Sequence, residues 1–452
     1  MPVCVTVDCV RRRVATCGRG ACLLLLWLVL PIHAQTLSLH EVIEQLQHSE
    51  HPRLLQAQAQ QWRAQAQAQQ IEARYSTQAE IVARAQWVNP SSQSFDPSPR
   101  DHRLSLYVSK RLYDFGVTPA LEQASQATLQ ASELDVEFAA QQHLIEVTRK
   151  YFDVLLADLE FAWRNEAMSM AYVTLDKMRE RFALQQLDEV SLLQQEAQYQ
   201  QSLVQRSNAE LQQRVSRAAL AEALNRPGEL PATLLDPQLP QLLKPLPDPQ
   251  QLVQQIERHA PQLRAQQQRV QAAQSALQAA LNQWQPSLSA DADYTEYKRE
   301  LPSRENWRAG ITLNIPLIES GIDKADVALA RAELQTQRAT LQLLRSQIRE
   351  QAYHYWQRIT EWQAMSRALD SELQYASRAL DKSRGEYELE RRTDFGQALV
   401  RISDIRYRKA KNDFQLQIAI MQLAMLSGHP PAQTLFAHNA VDASPTPESY
   451  DE

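Results

Sequence analysis

The sequence predicts a mainly α-helical fold with a smaller β portion, in which long helices form coiled coils and four strands form two pairs. Three observations predict this class. Only 9 of the 452 residues are Gly, whereas Gln, Ala and Leu, which lose little side-chain freedom in helices, are abundant. Apolar residues recur every seven positions over long stretches. The same motifs occur in the same order in both halves, which predicts an internal twofold sequence repeat.

The first 34 residues have the pattern of a secretory signal peptide. Several Arg precede an apolar run at 21–30, and the segment ends with the small residue Ala34. This run is shorter than the roughly 20 residues of a transmembrane helix, although a membrane anchor is the alternative interpretation. Because all the cysteines lie in this leader, we expect no disulfide, thiol nucleophile or cysteine metal site in the mature chain.

Corresponding motifs in the two halves define the expected domain boundaries. The pairs are Pro52 and Pro261, 111–116 and 316–321, and 224–228 and 426–430. Repeated prolines exclude a continuous helix through the segment between the halves. We therefore expect a signal peptide at 1–34, a first repeat (helix, strand, strand, helix, helix) at 35–225, a Pro-rich connector at 226–250, a second repeat at 251–429 and a disordered acidic tail at 430–452.

The helices begin with a segment from Leu39 to about Thr77, which we expect to be one helix. A very long helix is expected from Pro119 to a break near Leu184, with Thr118 as its N-cap. Ser320 and Asp323 are expected near the start of its counterpart. Heptad spacing predicts coiled-coil seams at Phe138, Ile145, Phe152 and Leu159, and at Val327, Leu334, Leu341, Ile348, Tyr355, Trp362 and Leu369.

Four strands are expected at 80–88, 103–112, 287–297 and 307–317. Each has about the ten residues with which a tilted strand crosses a bilayer. Apolar and polar residues alternate, so one face is apolar; its candidate membrane-facing residues are Trp307, Ile311, Leu313, Ile315, Leu104, Leu106 and Val108. A half-buried sheet of a soluble protein would show the same alternation. If the strands lie in lipid, four cannot close a barrel, so several copies are required.

This duplicated order resembles the TolC-like outer membrane efflux protein family over essentially the whole chain after the leader. The resemblance rests on the motifs at 37–42, the segments at Pro52 and Pro261, the motifs at 112–116 and 316–321, and the helix ends at 224–227 and 426–428. It implies a homotrimer with four strands per subunit in a 12-stranded outer-membrane β-barrel. Below the barrel, coiled-coil helices would form an α-barrel that extends into the periplasm of a Gram-negative bacterium.

The function that the resemblance implies is an exit duct for efflux or secretion. It would be surrounded by outer-membrane lipid and opened by contact with a periplasmic adaptor (membrane fusion) protein and an inner-membrane pump. A periplasmic coiled-coil adaptor or scaffold protein of a transport complex is the alternative. The sequence does not identify the cargo, because the pump selects it.

The resemblance also predicts a closed tip where the long helices break, at 181–188 and 387–396. The family usually has Gly at the positions of Gln185 and Glu390, and an acidic residue at the position of Ser191. Tyr387 and Arg392 match residues that hold the tip shut, and Asp188 or Glu189 would replace the missing acid. With Asp394, these form the candidate periplasmic gate; a solvated helix turn is the alternative.

Motifs of enzymes are absent from the sequence. It contains no nucleophile elbow, phosphate-binding Gly-rich loop or His-Glu-x-x-His. His48 and His51 could contact one metal ion, but no third ligand has a suitable spacing. We therefore expect no catalytic, cofactor-binding or metal site. The formal net charge of −6 makes nucleic acid a poor partner.

Overall fold

The structure, a computed structural model, describes residues 36–47, 51–228, 233–237, 239–240, 246–317, 321–389 and 395–435. The first half contains β1 (Thr36–Leu37), α1 (Leu39–Gln47), α2 (Pro52–Glu72), β2 (Gln78–Arg84), β3 (Arg103–Tyr113), α3 (Val117–Ala183) and α4 (Glu189–Ala223). The second contains β4 (Thr233–Leu234), α5 (Pro249–His259), α6 (Pro261–Asn282), β5 (Ser287–Tyr297), β6 (Trp307–Asn314), α7 (Ile322–Glu388) and α8 (Phe395–Leu426). The expected signal peptide, His48, Ser320, Glu390, Arg392 and Asp394 lie outside the described residues.

The long helices α3 and α7 have 67 residues each, or roughly 100 Å at 1.5 Å per residue. Next to the strands, α3 packs against α2 and α6, and α6 packs against α7. Further along, α3 packs against α4 and α8, and α8 packs against α7. The heptad seams lie in these contacts: Leu334, Ile348 and Leu369 are buried. No described helix has an apolar stretch sufficient to cross a membrane.

The starts of two helices differ from the prediction. His51 has an extended backbone, so the segment from Leu39 contains two helices and not one. Proline starts the second because it lacks an N–H and fits a first helical turn. Thr118 is not the N-cap of α3: that position is Gly116 in the left-handed region, with φ of 97°. The side chain of Thr118 instead binds Asp114.

The strands form one antiparallel sheet in the order β2-β3-β5-β6. Only β5 has its predicted bounds. The first strand lies earlier than predicted. Beyond it, Trp87 forms an isolated bridge with Arg100 in the same register, and between β2 and this bridge Gln86 donates its backbone N–H to Nδ1 of His102. The last strand ends at Asn314, which pairs with Ser287, the first residue of β5. Ile315 therefore follows β6 and is not within it.

A second, parallel pairing joins β1 to β4 and anchors the connector between the halves. The hydroxyl of Tyr151 donates to the carbonyl oxygens of Leu37 and Leu235, at 3.0 and 2.6 Å. The first residues of the expected disordered tail are ordered: Pro431–Thr434 form a 3-10 helix, and Leu435 is buried in the same core. The order helix, helix, strand, strand, long helix, helix occurs twice. The sequence repeat and the closure of a barrel stay predictions.

Candidate functional site

One face of the sheet is an exposed apolar surface. Its rows are set by strand register: Ile81 pairs with Leu106, Leu106 with Tyr294, and Tyr294 with Trp307. The predicted set Trp307, Ile311, Leu313, Leu104, Leu106 and Val108 shares this face, since alternate residues of a strand point the same way. Trp307 is 71% and Ile311 70% exposed to solvent. Val108 is half-buried, and Ile315, beyond the strand, is exposed.

The other face of the sheet is polar. In one row, Glu80 pairs with Tyr107, Tyr107 with Asp293, and Asp293 with Arg308. The guanidinium of Arg308 forms an ion pair with the Asp293 carboxylate at 3.0 Å. The sheet thus presents an apolar surface on one side and hydrogen-bonding and charged groups on the other.

Aromatic residues lie at both ends of the apolar face. Tyr294 and Trp307 pair near the loops that join the strands. At the helical end, Tyr113 and Phe115 are exposed and make an edge-to-face contact with centroids 4.8 Å apart. Aromatic residues at two levels flanking an apolar band are typical of strands at membrane interfaces.

Two buried or half-buried arginines join the loops at the end of the sheet away from the helices. Arg299 is buried and donates to the carbonyl oxygen of Asp96 from Nε at 3.0 Å and from Nη2 at 2.8 Å. Arg304 binds both carboxylate oxygens of Asp101 at 2.6 and 3.1 Å. This hydrogen bonding from Arg304 outweighs burial and lowers the pKa of Asp101. The sequence gives no signal for these contacts, because the partners are far apart in the chain.

Asp114 fixes the junction between the sheet and α3. Its buried carboxylate accepts hydrogen bonds from the backbone N–H and hydroxyl of Thr118, at 3.0 and 2.6 Å, and from the hydroxyl of Tyr75 at 2.6 Å. Burial alone would raise the pKa of Asp114, but these hydrogen bonds outweigh it and lower the pKa. Burial, with the bond to Asp114, raises the pKa of Tyr75 to about 12. The sequence motif at 111–116 pointed to this segment but not to the role of Asp114.

The candidate gate residues lie at the opposite ends of the long helices. Asp188 is the N-cap of α4 and accepts from the N–H and hydroxyl of Ser191 at 2.8 and 2.6 Å. These hydrogen bonds lower the pKa of Asp188. Glu189 is the first residue of α4. Tyr387, in the last turn of α7, is exposed and stacks on Phe395 with centroids 5.7 Å apart. These three described gate residues make no hydrogen bond or ion pair with one another.

The turn between α3 and α4 has a left-handed residue at Gln185, with φ of 57°. The N–H of Gln185 bonds to the carbonyl of Phe182, and that of Gln186 to Arg181, at 2.9 and 2.8 Å. These two bonds are those of a Schellman helix end, which normally has Gly at the left-handed position. The chain therefore makes a Schellman turn with Gln185 at the position where such turns usually have Gly.

The histidines do not form a metal site in the described part of the chain, where no group of three potential ligands is suitably arranged. His51 instead stacks on His143, with ring centroids 4.0 Å apart. Both ring nitrogens of His143 are buried without a hydrogen-bond partner in the described structure. Burial lowers the pKa of His143 to about 4.

The chain is similar to known outer membrane proteins in part of its sequence and in its fold. The outer membrane efflux protein family matches residues 252–429, and no curated protein matches the sequence. The structure is similar to the outer membrane protein VceC of Vibrio cholerae, with 18% identity, a TM-score of 0.67, and coverage of 86% of this chain and 96% of that one. A membrane protein from Pseudomonas aeruginosa has 18% identity and a TM-score of 0.69, with coverage of 86% and 90%.

The CmeC outer membrane channel of Campylobacter jejuni is also similar, with 16% identity, a TM-score of 0.67, and coverage of 86% and 85%. The family match covers the second half of the chain, whereas the structural similarity covers both halves. Both findings agree with the resemblance stated from the sequence: residues 252–429 match the outer membrane efflux protein family, and the chain shares the fold of these solved outer membrane proteins.

Proposed function

We propose that this chain is one subunit of a duct that crosses the outer membrane and extends into the periplasm for efflux or secretion. The exposed apolar face of the four-stranded sheet carries this proposal. Such a surface is unfavourable in water, and a large exposed apolar patch marks contact with a membrane or another protein. Lipid against the apolar face and water against the polar face would satisfy both sides of the sheet.

The open edges of the sheet support a homotrimer. Within the part of the chain that the structure describes, strands β2 and β6 each pair on one side only. Unpaired strand edges are not tolerated in lipid. Pairing β6 of one copy with β2 of the next would remove these edges. Three copies would give the 12-stranded barrel that the resemblance implies.

The helices also expose apolar surfaces that a neighbouring copy would cover. Among the described elements, α4 packs mainly against α3, and it exposes Val190, Leu193, Val204 and Leu211. The long helix α7 exposes Leu329, Leu343 and Tyr375. Apolar stripes on long helices associate by coiled-coil packing. Contact between α4 of one copy and α7 of the next would bury both stripes and form the α-barrel.

The closed tip would be held by the candidate gate Tyr387, Arg392, Asp188, Glu189 and Asp394. Asp188 supports this role because its carboxylate is exposed at the turn between α3 and α4 even while it caps the helix. Arg392 would pair with this carboxylate or with Glu189 of a neighbouring helix. Binding of a periplasmic adaptor protein and an inner-membrane pump would separate these contacts and open the duct.

Localisation and conductance test the proposed function. The full-length protein should be recovered from the outer membrane as a trimer that dissociates on heating, and it should form water-filled channels in planar bilayers. Recovery as a soluble periplasmic protein would contradict the duct and favour an adaptor or scaffold. Outer-membrane trimers without conductance would retain the architecture but contradict transport.

A further inference from the structure

An amide-lined groove lies where three helices meet below the sheet. It has a volume of about 580 Å³ and runs between α2, α3 and α6. Six glutamines line it: Gln65, Gln69, Gln123, Gln126, Gln130 and Gln271. Among the described residues, none of these side-chain amides has a hydrogen-bond partner. Each therefore offers two N–H donors and a carbonyl acceptor to a ligand.

An exposed tryptophan lies on the same side of α2 as the groove. Trp62 is 59% exposed, and its spacing of three and seven residues from Gln65 and Gln69 places all three on one helical stripe. The side of α2 that packs against α3 contains Gln61, buried Ala64 and Ala68. The Trp62 stripe is displaced from it by one residue, or about 100° at 3.6 residues per turn. Trp62 does not line the groove itself; it lies about one turn before Gln65, on the stripe that Gln65 and Gln69 carry into the groove.

The charges of the groove limit its ligands. Glu72 and Glu122 are its two lining carboxylates, and no Lys or Arg lines it. An anionic ligand such as a phosphate or sulfate would meet two negative charges and no compensating cation. A purely apolar ligand would have to remove water from the amides without replacing their hydrogen bonds. A neutral ligand that is rich in hydroxyl and amide groups avoids the charge repulsion and replaces the hydrogen bonds that the amides make to water.

We propose that this groove binds a glycan chain, with the apolar face of one sugar ring stacked on Trp62 and the hydroxyl and acetamide groups of the following sugars hydrogen-bonded to the glutamines. A sugar hydroxyl both donates and accepts, as a glutamine amide does, so each amide can bind several hydroxyl orientations. The indole ring provides a rigid apolar surface at small entropic cost. The helical scaffold keeps the amides about one turn apart along α2, where Gln65 and Gln69 are separated by four residues.

Two sources offer this chemistry: the glycan of the cell wall outside the duct, and a saccharide carried through it. Glycan binding in the groove does not depend on the proposed duct function. The assignment of the glycan to one of these two sources rests on that function. Soluble N-acetylglucosamine oligosaccharides test the shared chemistry. Insoluble purified cell-wall sacculi test the first source, because a wall particle cannot enter a channel.

The experiment uses the full-length detergent-solubilised oligomer. Calorimetric titration with an N-acetylglucosamine tetramer should show saturable binding by the wild type. The variant Trp62→Ala should weaken it at least about tenfold, and the double variant Gln65→Ala/Gln69→Ala should weaken it by a similar factor. The matched control is Gln60→Ala/Gln67→Ala, which removes two exposed amides from another side of α2; its affinity should equal that of the wild type.

Co-sedimentation with sacculi then separates the sources. Retention that is lost in Gln65→Ala/Gln69→Ala assigns the groove to the cell wall, whereas binding of the soluble oligosaccharide alone assigns it to a carried saccharide. Absence of wild-type binding to both probes would overturn the proposal. Equal weakening in the control variant would overturn it too. Channel conductance should be the same in every variant, so failure of the duct function would be seen separately.

Discussion

The hydroxyl of Tyr75 donates a 2.6 Å hydrogen bond to the carboxylate of Asp114 and thereby joins the segment before β2 to the start of α3. The contact spans the two chain segments that enter and leave the first strand pair. It directs α3 relative to the sheet, because Asp114 also binds the backbone N–H of Thr118 in the first turn.

Removal of this hydroxyl should loosen the junction. We expect Tyr75→Phe to lower the free energy of unfolding by about 1–2 kcal/mol, since Asp114 is left buried with fewer donors. Chemical unfolding followed by circular dichroism measures this change. Tyr113→Phe is the matched control, because the hydroxyl of exposed Tyr113 makes no hydrogen bond to a described residue. Equal stability of the two variants would contradict a structural role for the Tyr75–Asp114 contact.

The two faces of β6 should respond differently to a charge. Ile311 lies on the apolar face and Thr312 on the polar face. We expect Ile311→Asp to abolish or strongly reduce insertion into the outer membrane, at a cost on the order of 2 kcal/mol per subunit. Thr312→Asp should insert normally. The amount of heat-modifiable oligomer in outer-membrane fractions measures insertion, and equal insertion of both variants would contradict lipid contact at Ile311.

Regular patterns in the sequence predicted the regular parts of the structure. The alternation over 287–297 predicted β5 with its bounds, and heptad spacing predicted buried Ile348 and Leu369. Both patterns are local, because each reflects one buried stripe or face. Strand ends were predicted less well: β6 stops where β5 offers no further partner, and that depends on register between strands.

Contacts between distant residues were not predictable in this way. Arg299 binds Asp96 in another loop, and Arg304 binds Asp101, with no periodic spacing to indicate either contact. The capping role of Asp188 was not predicted: the sequence pointed to its charge, and the structure shows that its side chain caps α4. Its role in a gate stays a prediction. A single side chain can serve both roles, and the sequence does not reveal which geometry it adopts.

The left-handed residue between α3 and α4 should limit stability. Residues other than Gly pay roughly 1–2 kcal/mol for this conformation, and Asn tolerates it better than Gln. We therefore expect Gln185→Gly to raise the free energy of unfolding by up to about 1 kcal/mol. Asn225→Gly, at the equivalent position after α4, should give a smaller gain. Gln186→Gly is the control and should give none. Thermal unfolding measures all three, and an equal or lower stability of Gln185→Gly would contradict strain at this turn.

The stacked histidines should make stability depend on pH. Burial lowers the pKa of His143 to about 4, and the charges of His51 and Arg53 act in the same direction while Glu146 opposes them. In the unfolded chain the pKa of a histidine is about 6.5. Between pH 4 and pH 6.5, roughly, the unfolded state therefore binds more protons than the folded state. The free energy of unfolding should therefore fall as the pH falls from about 6.5 to about 4, by up to about 1.4 kcal/mol per pH unit.

A variant without the imidazole isolates this effect. His143→Phe preserves an aromatic ring for stacking on His51 and cannot take up a proton. The difference in unfolding free energy between the wild type and this variant should change across that pH range and be constant above it. His259→Gln, at an exposed histidine, is the control. A difference that does not vary with pH would contradict a buried, neutral His143.

The capping and gating roles of Asp188 can be separated by one substitution. Asn is as good an N-cap as Asp, so Asp188→Asn should keep the capping bond from the backbone N–H of Ser191 to its side-chain oxygen. The stability of α4 should therefore be retained while the charge is removed. If Asp188 pairs with Arg392 in the closed tip, this variant should raise single-channel conductance, as Arg392→Ala should. Asp188→Ala should raise conductance and also destabilise α4. Glu189→Gln tests the neighbouring carboxylate in the same recordings. If conductance increases in Arg392→Ala but not in Asp188→Asn, Asp188 is excluded as the partner of Arg392. If conductance is unchanged in both variants across salt concentrations, an Arg392 gate is excluded.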